Sequence, residues 1–276
     1  MNFLPKDFDT QQSIVLLAGK GMYPQLVWER LSKTCPNASL FCFEEEVKSW
    51  AEQTAQGQHS FFSIGQVGTW LKALKKCSAR YVLLAGQITP KKLFQGLNPD
   101  LKAILLLASL KEKNASTIFG ALIKEIEKLD IRVLDARCFL EDQLASPGNL
   151  TKTSAKLDPE QLQKSIDICK QIAALDVGQG IVVSNGTVIA VEAFEGTDAM
   201  IERAGTLCKR PMGLIKLAKQ TQDFRFDVPV FGPRTLKKMM ESGLTWAALE
   251  SHRTLILEKE RVLEEADRQN IAIFGF

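Results

Sequence analysis

Apolar and polar positions along the chain fall into two alternating patterns. Residues 13–18, 39–43, 81–85 and 131–134 are short, nearly continuous apolar runs, the signature of strands covered on both faces. Between them, residues 24–33, 66–76 and 116–129 carry apolar side chains at three- and four-residue intervals. In the last, Ile118, Leu122, Ile126 and Leu129 share a face that Lys124, Glu125 and Lys128 do not. Strands alternating with amphipathic helices predict a parallel, doubly wound, Rossmann-like sheet.

The pattern changes after Ala145-Ser-Pro-Gly-Asn-Leu-Thr-Lys-Thr-Ser154, which has no apolar period. A division is expected there, with a Rossmann-like domain over 1–147 and a mixed α/β catalytic domain over 148–276. Asp158-Pro159 supplies an N-cap and a first-turn proline for a helix reaching about Leu175. Asn185-Gly186, between two β-branched runs over 181–191, predicts a hairpin. Further strands are expected at 213–218, 246–249, 254–257 and 271–274, and helices near 199–208, 234–242 and 259–269. The fold class is α/β throughout.

Composition narrows the function. The chain has 276 residues, enough for two domains at about 100–200 residues each. A net charge of +3, from 35 basic and 32 acidic residues, argues against nucleic acid as a partner. The longest apolar run, Ala103 to Leu110, is about half of what a bilayer-spanning helix needs. The N-terminus MNFLPKDFDTQQS lacks the apolar stretch of a secretory signal, and six scattered cysteines without a C-x-x-C pair suit reduced thiols in a cytoplasm. There are two histidines, His59 and His252, too few for the clustered ligands of dinuclear metallophosphoesterases and most zinc hydrolases. Catalysis is therefore expected from carboxylates, lysines, arginines, backbone N–H groups or a hard cation.

Three stretches carry such groups. Leu17-Ala-Gly-Lys-Gly-Met-Tyr-Pro24 is a glycine loop between a strand and a helix, which serves equally as a tight turn or as an anion cradle. It is neither a dinucleotide fingerprint, since Pro24 stands at the sixth position, nor a Walker loop. In Val191-Glu-Ala-Phe-Glu-Gly-Thr-Asp198, Glu192 faces away from Val191 and Ala193, and Thr197 or Asp198 is expected to cap a helix. Alternatively, Glu195 and Asp198 converge with that helix N-terminus on a bound ion or phosphate. In the third stretch, Lys216 to Pro229, an extended backbone would set Asp223, Arg225 and Asp227 on one face after Lys216 and Lys219. That is either a surface ion network or a site for phosphoryl chemistry. Arg234, in Gly232-Pro-Arg, adds a further anion contact.

Together these stretches, with Leu84-Ala-Gly-Gln87, Leu175-Asp-Val-Gly-Gln-Gly180, Gln222-Asp-Phe-Arg-Phe-Asp-Val-Pro229 and Gly232-Pro-Arg-Thr235, resemble the UDP-2,3-diacylglucosamine pyrophosphatase family of lipid A biosynthesis that is unrelated to the calcineurin-like enzymes. The motifs run in order from Ser13 to the C-terminus. The resemblance implies two domains with substrate in the cleft between them, and hydrolysis of UDP-2,3-diacylglucosamine to 2,3-diacylglucosamine 1-phosphate and UMP. It also implies a divalent cation, Mg2+ or Mn2+, and attack of water on the phosphorus nearer the sugar. The family's essential aspartate corresponds to Asp223 or Asp227, a choice the alignment leaves open.

On this reading Asp223 and Asp227 are the catalytic pair, and Glu195 and Asp198 hold the metal. Gly19, Lys20, Gly21, Thr197, Lys216, Lys219 and Arg225 contact substrate. The protein is expected in the cytoplasm, with transient contact at the inner face of the inner membrane, and a homodimer is the oligomer considered. Two departures stand out: Lys20 interrupts a three-glycine loop, and Asn114-Ala-Ser-Thr117 replaces an expected acidic pair. They motivate the alternative of a non-catalytic nucleotide-sugar or acyl-lipid binding protein. A nicotinamide dehydrogenase is the third reading, tied to the loop from Gly19 to Pro24.

Overall fold

Every residue of strand β1 (Ile14–Ala18) is buried, which places it at the centre of a sheet. The computed structural model describes residues 3–43, 45–54, 57–87, 99–112 and 114–276. They form two units: one runs to Phe139 and takes in Phe224–Phe226, the other comprises Leu140–Asp223 and Asp227–Phe276.

In the first unit, β1, β2 (Ala38–Cys42), β3 (His59–Phe61), β4 (Tyr81–Ala85) and β5 (Arg132–Val133) form one sheet in the order β3-β2-β1-β4-β5, all parallel. Helices α1 (Tyr23–Thr34), α2 (Glu45–Thr54), α3 (Val67–Lys76), α4 (Leu101–Ala108) and α5 (Ala115–Glu127) connect them. One core joins Val15, Leu17, Val82 and Leu84 of the sheet to Trp70, Ile118 and Ile126 of the helices. Strand order reverses between β1 and β4, where doubly wound sheets open a crevice at their C-terminal edge.

In the second unit, β6 (Gly148–Asn149), β7 (Gly180–Ser184), β8 (Thr187–Val191), β9 (Met212–Lys216), β11 (Leu244–Leu249) and β13 (Ala272–Gly275) form a mixed sheet in the order β6-β13-β11-β9-β7-β8. Strands β10 (Val230–Phe231) and β12 (Leu255–Ile256) pair separately. Strands β9, β11 and β13 are parallel, whereas the β7–β8 hairpin and β6 run against their neighbours. The helices are α6 (Pro159–Ala174), α7 (Thr197–Leu207), α8 (Pro233–Ser242) and α9 (Lys259–Arg268). Alternate residues of one strand supply two cores: Leu214 joins α7, α8 and α9, and Ile215 joins Ile166, Cys169 and Ala173 of α6.

Residues 140–147, which the composition break left with the first domain, are held in the second unit. Ala145 N–H donates to Thr254 O at 2.9 Å, His252 N–H donates to Ala145 O at 2.8 Å, and β6 then pairs with β13. The segment reads as a linker because it has no side-chain period, yet its backbone groups are used at a sheet edge.

Candidate active site

At the first unit's reversal point the two glycine segments pair with each other. Gly19 N–H donates to Ala85 O at 2.8 Å, Lys20 N–H to Gln87 O at 2.8 Å, and Gln87 N–H to Lys20 O at 3.0 Å. Gly86, at φ +94°, must be glycine, because a Cβ would lie 2.7 Å from Lys20 O. The amides of Gly19 and Lys20 are thus spent inside the fold. Gly21, at φ +97°, turns the chain into α1, which starts without a side-chain cap at Met22. Asn114, where an acidic pair was expected, caps α5 by accepting from Thr117 N–H at 2.9 Å.

The denser cluster lies where β9 and β11 end, the edge at which open α/β sheets present ligand-binding groups. Lys216 is the last residue of β9 and only 7% exposed. Its Nζ donates to Thr197 Oγ1 at 2.6 Å, and the Thr197 hydroxyl donates to Glu192 Oε1 at 2.6 Å. Glu192 Oε2 is buried and has no hydrogen-bond partner among the described residues. Gly180 makes room for that carboxylate, since a Cβ there would lie 2.7 Å from Oε2; at Gly178 a Cβ would lie 2.0 Å from Glu192 O. Helix α7 begins with Gly196 as its N-cap, so neither Thr197 nor Asp198 caps it. Thr197 instead joins two charged groups.

Behind this cluster burial pushes the Cys169 thiol up to about 12, with Glu192 and Glu250 adding to the rise and Lys216 opposing it. Burial does the same to Cys42, also to about 12. Neither thiol supplies a nucleophile at neutral pH. Iodoacetamide at pH 8 is therefore expected to leave Cys42 and Cys169 unmodified in the folded protein and to label both in urea, as read by peptide mass spectrometry.

The aspartate stretch is not extended, and its register corrects the expected acid–guanidinium–acid face. Asp227 N–H donates to Asp223 O at 3.1 Å, closing a turn that rotates the intervening side chains away. Phe224, Arg225 and Phe226 belong to the first unit: Phe224 lies 3.6 Å beneath the Arg137 guanidinium, Phe226 stacks on Phe119 at 5.3 Å, and Arg225 pairs with Glu127 at 2.8 Å. The period-two pattern of Phe224, Phe226 and Val228 comes from Phe226 packing on the first unit's core and Phe224 lying under Arg137, not from a strand.

Asp227 itself is held by amides. Gln179 Nε2 donates to Asp227 Oδ2 at 3.1 Å and to Gln222 Oε1 at 3.3 Å. Gln222 Nε2 donates to the Asp227 carbonyl at 2.8 Å, while its Oε1 accepts from Lys219 N–H at 3.2 Å. Among the described residues Asp227 Oδ1 accepts nothing, and no cation pairs with this carboxylate.

The neighbouring acids differ. Asp198 accepts from Arg234 at 2.8 Å, and Glu195 pairs with Arg203, which holds its carboxyl below the usual range. Lys219 pairs with Asp176, and Arg253 lies 3.4 Å from Glu250. Glu195 and Asp198, the expected metal ligands, are thus each neutralised by an arginine. No group of three or more His, Cys, Asp or Glu among the described residues is gathered to hold a metal ion. Gln179, Gln222 and Glu192 were not among the expected site residues. The signal for Glu192 was present, a charged residue facing away from its apolar neighbours in a strand, whereas nothing in local spacing links Gln179 to Asp227.

A parallel-sheet unit followed by a mixed-sheet unit, whose site combines a buried lysine with an unpaired carboxylate held by amides, defines a two-domain α/β protein equipped for polar chemistry on an anion. Residues 13–143 match the LpxI N-terminal domain and residues 146–274 the LpxI C-terminal domain, and the chain belongs to the LpxI family. A similar protein is UDP-2,3-diacylglucosamine pyrophosphatase LpxI of Caulobacter vibrioides, 29% identical over 273 residues, which cover 94% of this chain and 96% of that protein.

Proposed function

We propose that the chain hydrolyses UDP-2,3-diacylglucosamine to 2,3-diacylglucosamine 1-phosphate and UMP in lipid A biosynthesis. The observation that carries this reading is Asp227, which has no cation partner among the described residues and is oriented by Gln179 through one oxygen, leaving the other open. An ionised carboxylate so placed accepts a proton from attacking water. Lys216, at the end of β9, supplies the positive charge that offsets charge developing on phosphate oxygens. Membership of the LpxI family and the name of the Caulobacter relative support this substrate. Water attacks the phosphorus nearer the sugar, so the bond to the UMP oxygen breaks and UMP leaves.

Mg2+ or Mn2+ belongs to this proposal as well. Glu195 and Asp198 each pair with an arginine, so neither presents a free carboxylate to the ion. Mg2+ takes one or two carboxylates and fills its remaining positions with water and substrate phosphate, so Asp227 would hold it through Oδ2, the oxygen that Gln179 orients, and keep Oδ1 for the attacking water. When bound, the ion would offset phosphate charge. EDTA is expected to lower activity at least about tenfold, and added Mg2+ to restore it; full activity in EDTA contradicts the metal.

No described helix is long and apolar enough to cross a membrane. We place the enzyme in the cytoplasm, meeting its lipid substrate at the inner face of the inner membrane. Phosphorus NMR of the reaction in oxygen-18 water tests the chemistry: the label is expected in the sugar 1-phosphate. Label in UMP would move the attack to the other phosphorus, and no UMP above background would reject the activity.

A further inference from the structure

We infer that Glu192 and Thr197 are positioning residues which hold the Lys216 ammonium through a hydroxyl bridge and leave its remaining donors for a phosphate oxygen. This rests on the pyrophosphatase reading above and assigns to Thr197 a role other than direct substrate contact. The polarity of the bridge follows from chemistry. An ammonium has no lone pair to offer and an ionised carboxylate has no hydrogen. Lys216 therefore donates to the Thr197 oxygen, and the single Thr197 hydrogen goes to Glu192, each at 2.6 Å.

The bridge has a consequence that a direct Lys–Glu pair would lack. Lys216 is 93% buried by its 7% exposure, and Thr197 is its one side-chain acceptor among the described residues. Among the described residues no acceptor meets the other two Lys216 N–H groups in this buried setting, which is costly unless an anion fills the place. A carboxylate in direct contact would take those donors and neutralise the cation. Interposing a hydroxyl keeps the counter-charge one step away while still fixing where the ammonium points. Gly180 is part of the device, because its missing side chain leaves the space into which Glu192 Oε2 fits.

The test is a set of substitutions assayed for kcat/KM with UDP-2,3-diacylglucosamine, each checked for folding by circular dichroism. Thr197→Val is expected to lose about 10²-fold, the scale of a displaced catalytic group, and Thr197→Ser to stay within about threefold of wild type because it restores the hydroxyl. Glu192→Gln, which keeps an acceptor and loses the charge, should fall between them. In a Lys216→Ala background, Thr197→Val should cost nothing further, since the group it positions is gone. Wild-type activity in Thr197→Val, or losses that multiply with Lys216→Ala, would overturn the inference. If Thr197→Val fails to fold, Thr197→Ala against Thr197→Ser decides it by the same criterion. A wild-type protein that releases no UMP would reject the pyrophosphatase reading instead, an outcome distinct from an active wild type with insensitive variants.

Discussion

Asp227→Ala is expected to lower kcat/KM by about 10²–10⁴-fold, the contribution of a positioned general base, while the unfolding midpoint stays close to wild type. The stability expectation follows from the contacts. The turn is closed through the main-chain groups of Asp227, its N–H donating to Asp223 O and its carbonyl accepting from the Gln222 side-chain amide, and both bonds survive truncation. The one side-chain bond lost is from a neutral amide, Gln179, which is left with Gln222 as its partner. Asp227→Asn sharpens the result, since its amide oxygen still accepts from Gln179 and only the basic oxygen disappears; it should be impaired nearly as much. Asp223→Ala is expected to retain more activity than either, because the contact by which Asp223 supports Asp227 is through its carbonyl. Steady-state kinetics of the three variants, beside thermal melts, check the ranking.

Gly213→Ala is expected to destabilise the protein by about 3 kcal/mol, the upper end of overpacking effects. Gly213 of β9 sits beside Trp246 of β11 in the parallel register. An added Cβ would lie 1.9 Å from Trp246 Cε2 and 2.1 Å from Cδ2, inside the indole ring. The ring is half-buried and meets Phe274 of β13 at 6.0 Å, so a shift away from Gly213 would disturb that contact. Glycine in a strand interior is otherwise unfavourable, so its presence marks close approach of an aromatic side chain. Urea unfolding followed by tryptophan fluorescence should show a lower midpoint, and Trp246→Ala in the same chain should relieve the clash, so that the two losses do not add.

Much of this architecture was legible in the residue pattern, for identifiable reasons. The apolar runs at 14–18 and 81–85 are buried at every position, and burial on both faces is what a continuous apolar run encodes. Asn185-Gly186 formed the predicted hairpin, with Asn185 at φ 47° and Gly186 at φ 73°. The elements that escaped notice lack such a signature. Strand β3 is His-Ser-Phe at a sheet edge, and α4 leaves Leu101, Ile104 and Leu105 exposed, so its apolar positions do not mark a single buried stripe.

The residues of the candidate site could be named from the sequence, but their partners could not. Lys216, Thr197 and Asp227 were all among the expected residues, and the structure brings Lys216 and Thr197 into contact. Arg225 pairs with Glu127, 98 positions away in sequence, a pairing no local rule anticipates. Gln179 and Asp227 likewise meet across the fold, from the segment before β7 and the turn before β10. Arginine partners for Glu195 and Asp198 come from α7 and α8. The identity of a carboxylate is local information, whereas whether it carries an open oxygen or an arginine is decided by packing.

We propose that this chain cleaves the pyrophosphate of UDP-2,3-diacylglucosamine at the edge of its second sheet, with Asp227 as the working carboxylate. It is tested most directly by measuring UMP and 2,3-diacylglucosamine 1-phosphate released by purified wild-type protein with Mg2+, beside a folded Asp227→Ala variant. Both products are expected mole for mole from the wild type and almost none from the variant. Release of neither product by the wild type, or release by Asp227→Ala at the wild-type rate, would contradict it.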